Sequence, residues 1–501
     1  MNWKRVEKIF WHAALAAVLL AAFFVRYENV IVREFTFDEA LYAWSAERIT
    51  DDPTLLFSEE IAEYHPPLFP ILLAIGRLLL GLPPSLIVYS LTVVGISLLG
   101  IGGIFVLGSR ISSRFLGLWS AICLAFSAPF ICCSVYLLND IPFYVLSVFL
   151  LLALRNAQQN DHWKSDVGVS IIMSLMIGIK YSGLQMVPIV ALFYLFLPKR
   201  GLKVKLCRLS RALSMVFLSV IALAICNYLN RGTLFPIITS FRQSGIGIDR
   251  IKLLVNYYIF RYTPGLVLWI FFFGCFQAFR QKDYFKRFLI LYLGAGVLGL
   301  LTLNSHDFRY GLFIVPAISI ISGLGVEGLL NSVLKRKKFL FIGQVGIIII
   351  FGALYLDEIY LAKKVVRGRM DFVLNYSPAA AWVKEHATDQ TIILSQEPRL
   401  MRYYTRINFK RFGGRIIPLP GNKEDIAKAL KEMRGHVILD VNIARVDAER
   451  NFHSFDEAQQ EEIFLKSYGY SLKKVVYQRQ FCKQGSERCI SGPVIKIFER
   501  R

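Results

Sequence analysis

The residues able to do chemistry in this sequence sit in short polar stretches between long apolar runs. Asp38 and Glu39 stand together in "REFTFDEALYAWSAERI", Arg33 to Ile49, directly after the first apolar run. His65 belongs to "YHPP", Asp140 to "YLLNDIPF", and Lys180 to "IGIKYSGL". Arg309 and Tyr310 belong to "NSHDFRYG", which also holds His306 and Asp307. Carboxylates can take a proton from a hydroxyl or hold a cation, while Lys, Arg and His can face an anion. Each residue also has a plainer reading. Asp38 can cap the helix "EALYAWSAERI". Lys180 can snorkel to an interface, Arg309-Tyr310 can anchor a span among headgroups, and a single Asp140 can be a solvated loop acid. The two readings separate on whether these stretches share one side of a membrane, where ionisable groups usually mark function.

With 501 residues, 55% of them hydrophobic and 19% charged, and a mean hydropathy of +0.48, the chain is too apolar for an ordinary soluble protein. It reads as a polytopic membrane protein. The first run, Ile9 to Val25, has the basic flank of a signal peptide in "MNWKR", but no small-residue cleavage site follows, so it reads as an uncleaved span. Hydropathy places about eleven spans near 9–25, 86–108, 115–136, 141–155, 167–179, 184–198, 211–229, 263–279, 288–304, 311–331 and 339–356. The fifth and sixth are separated only by "KYSG" and read as a tight hairpin. Starting from a cytoplasmic "MNWKR", the even-numbered spans end in "GSRISSR", "RNAQQNDHWK", "PKRGLKVKLCRLSR", "RQKDYFKR" and "LKRKK", all on the cytoplasmic side. This orientation also accounts for the net charge of +22, which otherwise invites a nucleic-acid partner; none is expected. The apolar segment 66–82 would invert every later loop if it crossed, so it is expected as an interfacial helix in a first external loop, residues 26–85. Asp38, Glu39, His65, Asp140, Lys180, Arg309 and Tyr310 then fall on the outer face.

After about residue 360 the pattern alternates: helix in "SPAAAWVKEH", strand in "TIILS", helix in "EDIAKALKEMRG" ending at Gly435, strand in "HVILDV". The expected organisation is an all-α membrane domain over 1–360 and a small α/β domain over 361–501 outside the cytoplasm. Cys123, Cys132, Cys133, Cys226 and Cys275 lie in apolar runs and act as small hydrophobes. Cys482 and Cys489 flank a polar stretch and can close into a disulfide in an oxidising compartment. The runs "RYYTR" and "FKRFGGR" read as a solvated basic face, or as one that attracts anionic headgroups.

An ordered set of motifs carries a resemblance over about residues 1–360. These are "FDEALYAWSAERI", "YHPPLFPILLAIGRLLLG", "SRISSRFLGLWSAICLAFSAPF", "NDIPFYVLSVFLLLAL" and "RYGLFIVPAISIISGLG". Together they resemble the dolichyl-phosphate-mannose protein mannosyltransferase family, including the relatives that transfer aminoarabinose to lipid A, within the GT-C superfamily of membrane glycosyltransferases. The resemblance implies a GT-C fold, a polyprenyl-phosphate sugar donor, and transfer at the outer face, with inversion, to a hydroxyl of a protein, lipid or glycan. It implies Asp38 as the base, Glu39 and Asp140 as groups that orient the acceptor or hold a divalent cation, and His65, Lys180, Arg309 and Tyr310 as the donor-phosphate set. No cofactor is required, because the donor carries its own leaving group; a metal, if used, would fall to Asp38, Glu39 and Asp140. Many members have Glu-Lys before the proline pair, where this sequence has Tyr64-His65, so a fixed cation gives way to an imidazole that is only partly charged at neutral pH.

Two other classes are distinguishable. A transporter or flippase would place its polar groups near the bilayer midplane on broken helices, whereas these lie at one face. A superfamily member that transfers oligosaccharides would be expected to carry Trp-Trp-Asp, which this sequence lacks. The topology itself is testable: reporter fusions at Lys203 and at Gly421 should report the cytoplasmic and the outer side respectively. A cytoplasmic Gly421 would detach the tail from the outer face and overturn the assignment.

Overall fold

Helices dominate the chain because an apolar segment in lipid must satisfy its backbone hydrogen bonds internally. The computed structural model describes residues 3–31, 36–58, 66–198, 200–231, 265–281, 283–301, 308–334, 336–370, 376–395, 397–408, 414–420, 423–433, 435–442, 464–482 and 489–500. The chain divides into two compact units: Met1–Ile31 with Ala46–Lys364, and Val32–Ser45 with Val365–Arg501.

The first unit holds α1 (Trp3–Val30), the last residues of α2 (Phe37–Asp51), α3 (Leu68–Leu80), α4 (Leu86–Ile111), α5 (Arg114–Phe126), α6 (Ala128–Val135), α7 (Asp140–Gln159), α8 (Trp163–Ile179), α9 (Met186–Leu195), α10 (Leu202–Arg231), α11 (Gly265–Arg280), α12 (Tyr284–Leu301), α13 (Val315–Val333) and most of α14 (Lys337–Met370). Helices thus occupy every segment read as a span. Among the described residues six are long and apolar enough to cross a membrane, or seven if the bent pair α5 and α6 counts as one. That pair bends by 59° at Ser127, where Pro129 near the start of α6 withholds an amide donor and disfavours a continuous helix. The chain is therefore a multi-pass membrane protein, mostly helical, with a small C-terminal sheet.

Ion pairs and small residues fix the helices against one another. Asp166 of α8, wholly buried, accepts from Nη2 of Arg208 of α10 at 2.8 Å and from the Tyr194 hydroxyl of α9 at 2.9 Å. Arg208 also donates to the Ala157 carbonyl of α7 at 2.6 Å, so one guanidinium ties together four helices. Trp119 of α5 donates its indole N–H to Ser322 of α13 at 3.1 Å. Where α11 crosses α13, Gly274 and Gly325 bring the backbones into contact: a Cβ at Gly274 would collide with the Ile321 carbonyl, and one at Gly325 with the Ile270 carbonyl.

In the second unit, β1 (Ile392–Ser395), β2 (Ile416–Pro418), β3 (Val437–Asn442), β4 (Ser471–Cys482) and β5 (Cys489–Arg500) form one sheet in the order β2-β1-β3-β5-β4. The first three strands run parallel, with α15 (Ser377–His386), α16 (Pro398–Thr405) and α17 (Lys423–Glu432) between or before them; β5 pairs antiparallel with β3 and β4. Leu394, Leu430, Leu439 and Phe498 are buried together in the core, each contributing about 1.5–3 kcal/mol through removal from water. Gly435 follows α17 with φ +87°, a conformation that glycine adopts without strain. The expected strands and helices at 377–441 are thus present. The long β4-β5 hairpin and α16 were not anticipated. At the hairpin end Cys482 and Cys489 are register partners by their Cα atoms; their side chains lie outside the described residues.

The glycine crossing yields a paired prediction. Gly325→Leu should destabilise the protein by about 1–3 kcal/mol or more through overpacking, seen as a lower melting temperature in detergent. Gly294→Ala, on an open face of α12, should be neutral or slightly stabilising. Equal melting temperatures for Gly325→Leu and wild type would refute the close crossing.

Candidate functional site

Three of the residues singled out in the sequence meet in the first unit. α7 begins at Asp140, where an acidic residue in the first turn suits the free N–H groups and the positive end of the helix dipole. α8 stops at Ile179, and Lys180 takes an extended backbone (φ −153°, ψ 128°) before the 3-10 turn Tyr181–Gln185. Asn139 donates its side-chain amide to the Ile179 carbonyl at 3.3 Å, so the broken end of α8 is held against the start of α7. This break aims Lys180 across: its Nζ donates to Asp140 Oδ1 at 2.5 Å, with the Asp140 side chain 5% exposed and that of Lys180 18%. Arg309 arrives on the 3-10 turn Phe308–Ile314 that precedes α13.

Asp140, Lys180 and Arg309 line one cavity of about 100 Å³. Its other walls are Tyr144, Ser182 and Gln185 and the apolar side chains of Phe143, Met186, Leu312 and Phe313. Two cations face one carboxylate across an apolar lining, an arrangement that favours an anion with an apolar attachment. Sequence reasoning missed Tyr144, Ser182 and Gln185. Tyr144 was within reach, since a residue four positions after Asp140 shares its helix face.

Asp38 and Glu39 belong to the second unit. α2 starts at Phe37, and the backbone N–H of Thr36 donates to Glu39 Oε2 at 2.8 Å. That bond is the third-position half of a capping box, a signature visible in "TFDE". Glu39 is wholly buried and its carboxylate serves the helix start. Asp38 remains partly exposed and pairs through Oδ1 with Nη1 of Arg399 of α16 at 3.2 Å. One turn on, Arg402 lies over the Trp44 ring of α2, 4.6 Å from its centroid. Arg402 is 2% exposed, so this arginine of "RYYTR" is not part of a solvated basic face but is turned onto α2, while Arg406 at the other end of the run is exposed.

His65, with Tyr64, lies outside the described residues, as do His306, Asp307, Lys410 and Arg411; of Tyr310 only the backbone is described. Each carboxylate considered as a metal ligand has its own protein partner: Arg399 for Asp38, the Thr36 amide for Glu39, Lys180 for Asp140. No group of three or more His, Cys, Asp or Glu suited to a metal occurs among the described residues.

The chain has the GT-C fold seen in polytopic membrane glycosyltransferases. Residues 64–226 match the family model of dolichyl-phosphate-mannose-protein mannosyltransferase. The chain is similar over 98% of its length, and 98% of the other's, to ArnT from Cupriavidus metallidurans in the apo state, with a TM-score of 0.61 and 14% identity. The structure of that protein bound to undecaprenyl phosphate gives a TM-score of 0.60 at 14% identity, covering 97% of this chain and 98% of that one. Oligosaccharyltransferase AglB from Archaeoglobus fulgidus, in complex with an inhibitory peptide and a dolichol-phosphate, gives 0.62 at 12% identity over 98% of this chain and 75% of that one. No curated protein sequence matches. The resemblance drawn from the motifs thus holds at the level of family model and fold.

The ion pair is open to a double-mutant test. Lys180→Met leaves Asp140 buried without its cation and should lower stability by about 3 kcal/mol. Adding Asp140→Asn should recover most of that loss in denaturant titrations of the detergent-solubilised protein. Strict additivity of the two substitutions would show that the pair is not coupled.

Proposed function

We propose that this chain is a membrane glycosyltransferase that moves a hexose or pentose from a polyprenyl-phosphate donor to an acceptor hydroxyl at the extracytoplasmic face, with inversion. The observation that carries this reading is the convergence of Asp140, Lys180 and Arg309, from three distant stretches, on one small cavity. Two basic side chains in an apolar wall suit a phosphate on an isoprenoid chain, and the fold is shared with ArnT bound to undecaprenyl phosphate. The donor reaction needs stabilisation of the departing phosphate and removal of a proton from the attacking hydroxyl. Lys180 and Arg309 supply the first. Asp38, partly exposed at the head of α2, supplies the second, oriented by Arg399. Asp140 acts by holding Lys180 in place, and Glu39 by fixing the start of α2. His65 and Tyr310 belong to the donor-phosphate set on the strength of the motif alone. The acceptor is a protein, lipid or glycan hydroxyl. A chain held in the bilayer puts its phosphate at headgroup depth, which is why the reactive groups belong at a membrane boundary.

Replacement of the base is the decisive test. Asp38→Asn should reduce transfer from a polyprenyl-phosphate sugar by about 10²- to 10⁴-fold while donor binding stays within a few-fold of wild type. Retained turnover in correctly inserted protein would exclude Asp38 as the base.

A further inference from the structure

Tyr144 is a wholly buried residue of α7 whose hydroxyl has no hydrogen-bond partner among the described residues. Its ring is well accommodated, packing against Phe130 with centroids 4.9 Å apart. The hydroxyl is therefore dispensable for packing: phenylalanine would fill the same space without leaving a buried polar group unsatisfied. Tyr144 also lines the cavity of Asp140, Lys180 and Arg309. It lies four residues after Asp140, so the two project from the same face of α7. The neighbouring Tyr292 hydroxyl is engaged, donating to the Phe313 carbonyl at 3.0 Å, and does not answer it. The space, about 100 Å³, is several times the ~10–15 Å³ that one water needs on the same measure.

We infer that Tyr144 is a ligand-binding residue whose hydroxyl donates to a phosphate oxygen of a lipid-linked substrate held by Lys180 and Arg309. The inference rests on the proposed donor class and deepens it, since it names a third donor and gives the depth at which the phosphate sits. The charges of Lys180 and Arg309 attract an anion from any direction. A phenol O–H on a rigid ring accepts only one approach and so adds orientation. Phe143, Met186, Leu312 and Phe313 then offer apolar contact to the first units of an isoprenoid chain, which a free phosphate ion could not use.

The experiment uses the full-length chain in detergent and measures binding, so it does not depend on finding the sugar or the acceptor. Undecaprenyl phosphate, inorganic phosphate and undecaprenol are titrated against wild type and Tyr144→Phe by native mass spectrometry, with melting temperatures recorded for the ligand-free proteins. Ligand-free Tyr144→Phe should melt at or above the wild-type temperature, because an unsatisfied hydroxyl has been removed. Its Kd for undecaprenyl phosphate should rise about 10- to 100-fold, as expected for loss of a hydrogen bond to a charged group, and undecaprenol should bind both proteins alike. An unchanged Kd would mean that water alone satisfies the hydroxyl and would overturn the inference. Equal affinity for inorganic phosphate would overturn the lipid-linked assignment. The two readings fail separately: loss of binding in Tyr144→Phe with no sugar transfer by wild type removes the transferase and keeps Tyr144. An unchanged Kd beside robust transfer does the reverse.

Discussion

A charge can be kept at membrane depth only when another group answers it, and the pair of Lys180 with Asp140 is where this constraint shapes the first unit most. α8 carries an ion pair near each end: Asp166 with Arg208 at its start, Lys180 with Asp140 just past its finish. The second pair is made from an extended residue just past the end of α8, since Lys180 reaches Asp140 with φ −153° and ψ 128°. The break after Ile179, the abrupt start of α7 and the 3-10 approach of Arg309 therefore form one device. Among the described residues that line the cavity, it sets two cations beside one carboxylate. Replacing this device by apolar residues of similar volume would cost little stability by the usual balance of desolvation against attraction. That suggests its value is chemical.

Much of this was legible in the sequence. The helical segments followed from apolar run length, and the α/β character of the tail followed from the change of period after residue 360. Asp140, Lys180 and Arg309 were visible as ionisable groups beside apolar runs, and the motif order tied them to one family. Their convergence was not visible, because it depends on where α8 breaks and on a turn joining distant stretches. The role of Glu39 was written in "TFDE" as a capping signature, yet an Asp-Glu pair beside a span draws attention as chemistry first. "RYYTR" misled in the opposite direction: its charge suggested a wet surface, whereas the short α16 rotates Arg402 onto Trp44 and Arg399 onto Asp38. Composition cannot show which face of an eight-residue helix is covered. The orphan hydroxyl of Tyr144 needs coordinates altogether, since a tyrosine in a span is unremarkable until its surroundings are known.

The two arginines of α16 have a consequence for the life of the chain before it is complete. Asp38 and Arg399 are 361 positions apart, so during synthesis at ~5–20 residues per second the acid is made about 20–70 s before its partner. Throughout that interval the first turns of α2 lack both the ion pair and the stacked guanidinium on Trp44. The proposed base therefore acquires its final setting only after the last span has been inserted and the sheet has begun to assemble. A truncated or stalled chain would carry the acid without its clamp. The order of synthesis thus holds back both contacts of α2, Arg399 on Asp38 and Arg402 on Trp44, until the chain has grown past residue 402.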